Sequence, residues 1–147
     1  MRITVLLLSF ALHALWMSAT AQSLSGSLQI TVTGIRNNNG KILCSLFKEG
    51  EGYPDQPALA FYKTSAVIKD RKALISVDGL PIGYYAVALL HDENGDNKMN
   101  TSLVGLPKEG YGFSNNVMGL FGPPPFSKAS FRLISGEHKT IQINLRY

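Results

Sequence analysis

The stretch Gly79-Leu80-Pro81-Ile82-Gly83-Tyr84-Tyr85-Ala86-Val87-Ala88-Leu89-Leu90-His91 decides the fold. Pro81 and Gly83 punctuate the chain as a turn, because one fixes φ and the other tolerates backbone angles that side chains disfavour. Behind them, residues 86–90 are apolar without a break, so this strand must be covered on both faces and belongs in the middle of a sheet. Just upstream, residues 72–77 alternate, with Ala73, Ile75 and Val77 on one side. Val67-Ile68, across Asp70-Arg71, is the expected hairpin partner of that strand.

Working outward, residues 28–33 alternate strictly, Leu28, Ile30 and Val32 against Gln29, Thr31 and Thr33, as a half-buried strand does. Asn37-Asn38-Asn39-Gly40 then predicts a hairpin into a second strand at 41–47. That strand is apolar on both faces, which again predicts a central position. Gly50, Gly52, Pro54 and Pro57 make 49–57 a loop. Residues 58–65 fit a short helical turn or an edge strand. Residues 105–126, with five glycines and four prolines, have no strand or helix period and predict a long loop. Further strands are expected around 130–134 and at 140–147, where Ile141, Ile143, Leu145 and Tyr147 alternate with polar residues. The sum is an all-β antiparallel β-sandwich, immunoglobulin-like or prealbumin-like, of about seven strands with one Gly/Pro-rich loop. The pattern L-P-x-G-x-Y at 80–85 resembles prealbumin-like and carboxypeptidase-regulatory-like sandwiches, which implies a fold and no activity.

At the start, Arg2 precedes an apolar run from Ile3 to Met17 and the small residues Ala19-Thr20-Ala21. This is the layout of a cleaved signal peptide, residues 1–21, followed by a single domain at 22–147. The run is shorter than a bilayer span, so no membrane span is expected after cleavage and the product is periplasmic or secreted. The formal charge of +4, to which Arg2 contributes one, is spread without a basic cluster, so no nucleic-acid partner is expected. Cys44 is the sole cysteine and lies among apolar residues, which predicts a small buried side chain rather than a reactive thiol.

The candidate chemistry follows His91. Asp92, Asn94, Asp96 and Asn100 place oxygens at offsets 1, 3, 5 and 9, and Lys98 would add a backbone carbonyl, the pattern of a loop around a hard cation. Calcium is the expected ion. Leu103 stands where a bidentate Glu would close such a loop, so binding would be weak. The alternative is a metal-free turn in which Asp and Asn side chains bond nearby amides. In the Gly/Pro loop, Glu109, Tyr111, Phe113, Asn115 and Phe121 are candidates to face a protein or small-molecule ligand, or else to fold under and cap the sandwich.

With H-D-E-N-G-D-N-K-M-N at 91–100 and G-L-P-K-E-G-Y-G-F-S-N-N at 105–116, the chain resembles the small exported bacterial proteins grouped as domain of unknown function 2141. That resemblance implies export and a β-sandwich, and brings no established activity. The expectation is a non-catalytic exported module. The alternative is a small hydrolase using Asp92 or Glu109 with His91, which requires those groups in one open cleft.

Overall fold

The structure, a computed structural model, describes residues 24–120 and 122–147. The expected signal peptide and Phe121 lie outside the described residues. The chain forms β1 (Ser25–Thr33), β2 (Lys41–Phe47), β3 (Tyr62–Val67), β4 (Ala73–Pro81), β5 (Gly83–Asp92), β6 (Gly110–Phe113), β7 (Phe131–Leu133) and β8 (His138–Asn144). One sheet has the order β4-β1-β8 and the other the order β3-β2-β5-β6, with β7 pairing the start of β5. The architecture is the expected β-sandwich. One pairing departs from the antiparallel rule, since β1 and β8 run parallel.

The core lies between the sheets, and the alternation read from the sequence fills it. Leu28, Ile30 and Val32 of β1 meet Ile42, Cys44 and Leu46 of β2, Ile75 and Val77 of β4, and Val87 and Leu89 of β5 in one buried cluster. Each such aliphatic side chain contributes roughly 1.5–3 kcal/mol by leaving water. Cys44 is buried among them, and burial pushes its thiol up to about 12.

The turn at 81–83 is a corner between sheets. β4 runs on to Pro81 and β5 begins at Gly83 in the opposite sheet. Tyr85 is fully buried, and its hydroxyl donates to the Pro81 carbonyl at 2.7 Å. That bond ties the new strand to the end of the old one, as the tyrosine corner of immunoglobulin-like sandwiches does.

Three local expectations are corrected. Asn37–Gly40 does not close a hairpin, because β1 and β2 belong to different sheets. Its Asn-Gly chemistry serves a crossover: Gly40 has φ 64°, and a Cβ there would strike the Asp92 carbonyl. The turn at Asp70-Arg71 does form, with both residues at positive φ and Lys69 and Lys72 exchanging backbone hydrogen bonds of 2.9 Å. Its flanking strands nevertheless separate, β3 pairing β2 and β4 pairing β1. The region 58–65 contains both expected forms, a 3-10 turn at Pro57–Leu59 and the beginning of β3.

The third correction concerns 105–126, which is not loop throughout. Gly110–Phe113 is the strand β6, paired with β5. Its glycines concealed it from any pattern of side chains. At Gly112 a Cβ would approach the Ile143 side chain of the other sheet to 2.8 Å, so the close approach demands glycine.

Candidate functional site

Asp92 ends β5 fully buried, and both its oxygens accept backbone N–H groups, Gly95 at 2.9 Å and Asn97 at 3.1 Å. Glu109, 4% exposed, does the same from below: Oε1 accepts the Glu93 amide at 2.9 Å and Oε2 the Asn100 amide at 3.0 Å. Asn97 takes φ 62°, the left-handed conformation that asparagine tolerates better than most residues. Two buried carboxylates thus hold the loop by its main chain.

The outer loop is bonded to itself. Asp96 Oδ1 accepts the Lys98 amide at 2.9 Å, and Oδ2 accepts the side-chain amides of Asn94 at 3.1 Å and Asn100 at 2.9 Å. These bonds hold the Asp96 carboxyl below its ordinary range, that from Asn100 foremost. Asn94 Nδ2 also donates to Asn100 Oδ1 at 2.9 Å. The residues named for calcium are therefore brought together in part: Asn94, Asp96 and Asn100 form one exposed cluster, Asp92 lies beneath it, and Lys98 contributes a donor. Among the described residues, no three His, Cys, Asp or Glu side chains converge as a metal-holding group.

His91 points into the fold, not into a cleft. It is fully buried, with Nε2 donating to the Asn39 carbonyl at 2.8 Å and Nδ1 2.6 Å from the Tyr147 hydroxyl. The Asn39 carbonyl can only accept, so Nε2 carries a proton. Tyr147 also accepts the Arg36 amide at 3.1 Å, and Arg36 pairs with Glu93 at 2.6 Å. The cleft that a hydrolase built from His91, Asp92 and Glu109 requires is not assembled, since all three are buried and already bonded.

The motif Phe113-Ser114-Asn115-Asn116 closes the sandwich edge. β5 changes partner from β7 to β6 after Tyr85, and Ser114 fills the gap: its hydroxyl accepts the Val87 amide at 2.9 Å and donates to the Ala129 carbonyl. Asn115 donates to the Lys128 and Ser130 carbonyls, at 3.0 and 2.9 Å. Asn116 stands in for a missing strand residue beside β8, donating to the Gln142 carbonyl at 3.0 Å and accepting the Asn144 amide at 2.7 Å. Both asparagines lie at positive φ. Of the described loop-face candidates, Glu109 and Asn115 are held in backbone hydrogen bonds, Phe113 is buried in a cluster with Tyr53 and Phe126, and Tyr111 is half-buried.

Tyr111 opens onto a groove of about 990 Å³ on the outer face of the β3-β2-β5-β6 sheet. Leu43 and Ser45 of β2 and Ala88 and Leu90 of β5 form its floor, while Pro54 and Pro57, Met99 and Leu106, and Leu120 supply its walls. The groove was missed in the sequence although its signal was present: β2 and β5 are apolar on both faces. That pattern marks both strands as inner strands of their sheet, and its outward half lines an open cleft.

A pilus-presented adhesin is similar over 86% of this chain at 15% identity and a TM-score of 0.26, and a cysteine-to-alanine mutant of the same adhesin over 84% at 16% identity and 0.22. The chain spans 28% and 27% of those two chains, respectively. No curated protein matches by sequence. Among the described residues no helix is long and apolar enough to cross a membrane. The family of uncharacterized proteins conserved in bacteria, DUF2141, matches residues 30–142, and this chain belongs to it.

Proposed function

We propose that this protein is an exported, non-catalytic binding module whose ligand seat is the groove on the outer sheet face. The observation that carries the reading is the apolar floor. An antiparallel sheet with one face toward water alternates to polar side chains there. Here Leu43, Ala88 and Leu90 face outward beneath loop walls that leave them half-buried. The volume is that of clefts that hold small apolar molecules. Export is supported by the charged, apolar and small-residue order of residues 1–21.

The test uses anilinonaphthalene sulfonate as probe. Protein beginning at Gln22 should bind it saturably at one site, and Ala88→Trp, which fills the floor, should abolish that site without lowering the melting temperature. The absence of saturable binding by the parent would remove the reading.

A second reading, calcium held by the loop of Asp92, Asn94, Asp96, Lys98 and Asn100, has its own support. Asp92 and Glu109 are buried carboxylates, and among the described residues neither has an ion pair with a cationic side chain. Buried charges are ordinarily paired or bound to metal. The same loop also satisfies those charges with amides, so the two explanations differ in one measurable response, the effect of calcium on stability.

A further inference from the structure

Beside the groove, two loops carry exposed apolar side chains, of which Leu103 and Val104 do not line it and Leu120 does. Asn100–Lys108 is a small hairpin: Lys108 donates its amide to the Asn100 carbonyl at 2.8 Å, Thr101 bridges Pro107, and Ser102 and Leu106 bond at 2.8 Å. The Ser102 hydroxyl accepts the Leu106 amide at 3.1 Å and tightens the turn. Glu109 holds its base through the Asn100 amide. The tip is therefore braced, yet it displays Leu103 at 107% exposure and Val104 at 79%. Across the groove Leu120 is 93% exposed and Met118 38%. Leu106 and Leu120 line the same groove, which places the two loops on its rim.

Exposure alone does not identify a partner, but shape and charge do. A ligand in the groove would leave the projecting Leu103 and Val104 in water, so the occupant must surround the tips from outside. Within 97–108 and 117–128 the ionisable side chains are Lys98, Lys108 and Lys128, with no acid. Asp96, beside the first loop, keeps its charge under hydrogen bonds from Asn94, Asn100 and the Lys98 amide, and Asp55 lines the groove from a different loop, so three lysines stand against these two exposed carboxylates. Aliphatic tips flanked by lysines suit the boundary of an anionic bilayer, where apolar groups enter the acyl region and cationic heads remain among phosphates. We infer that the tips at Leu103-Val104 and Met118–Leu120 dock this protein onto an anionic lipid surface, with Lys98 and Lys108 at headgroup level. This goes beyond the groove reading and does not depend on it.

The experiment is co-sedimentation of protein beginning at Gln22, which keeps every strand, with vesicles of phosphatidylcholine alone or mixed with phosphatidylglycerol. The parent should bind the mixed vesicles, bind the neutral ones less, and lose binding as salt rises. Leu103→Asp should weaken binding about tenfold or more, given the transfer free energy of one leucine, while the melting temperature stays put. Lys98→Glu should weaken binding to mixed vesicles only. Ala88→Trp, which blocks the groove, should bind vesicles as the parent does, so this test fails or succeeds apart from the groove test. No binding to either vesicle, or equal binding by Leu103→Asp, overturns the inference. So does a concentration-dependent dimer that Leu103→Asp abolishes in protein that ignores vesicles, which would assign the tips to a second copy of this chain.

Discussion

The Ser114 hydroxyl lies 2.9 Å from the Val87 amide and completes a strand that backbone pairing leaves open. Val87 is fully buried at the point where β5 leaves β7 for β6. Ser114→Ala would strand this N–H and the Ala129 carbonyl together, at a cost of about 2–4 kcal/mol. Urea unfolding should show a lower midpoint with an unchanged slope. A midpoint equal to the parent's would mean that water replaces the hydroxyl.

The buried and peripheral carboxylates should separate by mutation. Glu109→Gln turns one acceptor into a donor facing the backbone amides of Glu93 or Asn100, and should cost about 1.5–3 kcal/mol. Glu93→Gln keeps an oxygen for the Asn37 side-chain amide and loses the ion pair with the half-exposed Arg36, which is worth under about 1 kcal/mol. Thermal melts of the two variants at neutral pH check the order, and equal losses would contradict it.

Acid should weaken the Arg36 and Asn37 contacts to Glu93. Burial pushes the Glu93 carboxyl up, but the hydrogen bonds from Asn37 and Arg36 outweigh it and leave the pKa below the usual 4.5. A carboxylate held low stabilises the fold above its unfolded pKa, and this contribution is lost as pH falls through the lower folded value. The melting temperature should therefore fall below pH 4.5, and less steeply in Glu93→Gln. Parallel pH profiles would assign the acid response to other groups.

Calcium supplies the next test. If the acidic loop holds the ion, stability in chelator-treated protein should rise with free calcium as RT ln(1 + [L]/Kd), about 1.4 kcal/mol at ten times Kd. Magnesium should do less, since it gives up water reluctantly. Asp96→Asn, at an exposed position, should remove most of the response with little change in the metal-free melt. A melting temperature indifferent to millimolar calcium would leave a turn held by its own amides.

Cys44 should report global unfolding. Its side chain faces the core and burial holds the thiol protonated, with the pKa pushed up to about 12. Native protein should resist a thiol reagent at pH 8, and the labelling rate should follow the unfolded fraction across a denaturant series. Rapid labelling without denaturant would place Cys44 in a region that opens locally.

The sequence alone determined the sandwich, because alternation in β1, β4 and β8 and the unbroken apolar run in β5 are consequences of burial that survive in one dimension. The turn before Tyr85 was legible through Pro81 and Gly83, but its place as a corner between the sheets, tied by the Tyr85 hydroxyl, was not. Tertiary structure alone decided which sheet each strand joined. A turn such as Asp70-Arg71 fixes its own dihedrals but not whether the flanking strands stay paired, and that depended on covering β1 and β2 from opposite sides. β6 was illegible because glycine has no side chain with which to alternate, and its requirement at 112 comes from Ile143, thirty-one residues away. In the candidate site, Asp92 and Asp96 were legible as oxygens but not as acceptors of particular amides. Glu109 was legible as a candidate carboxylate but not as the group beneath the Asn100 amide, a contact made by residues that packing alone brings together.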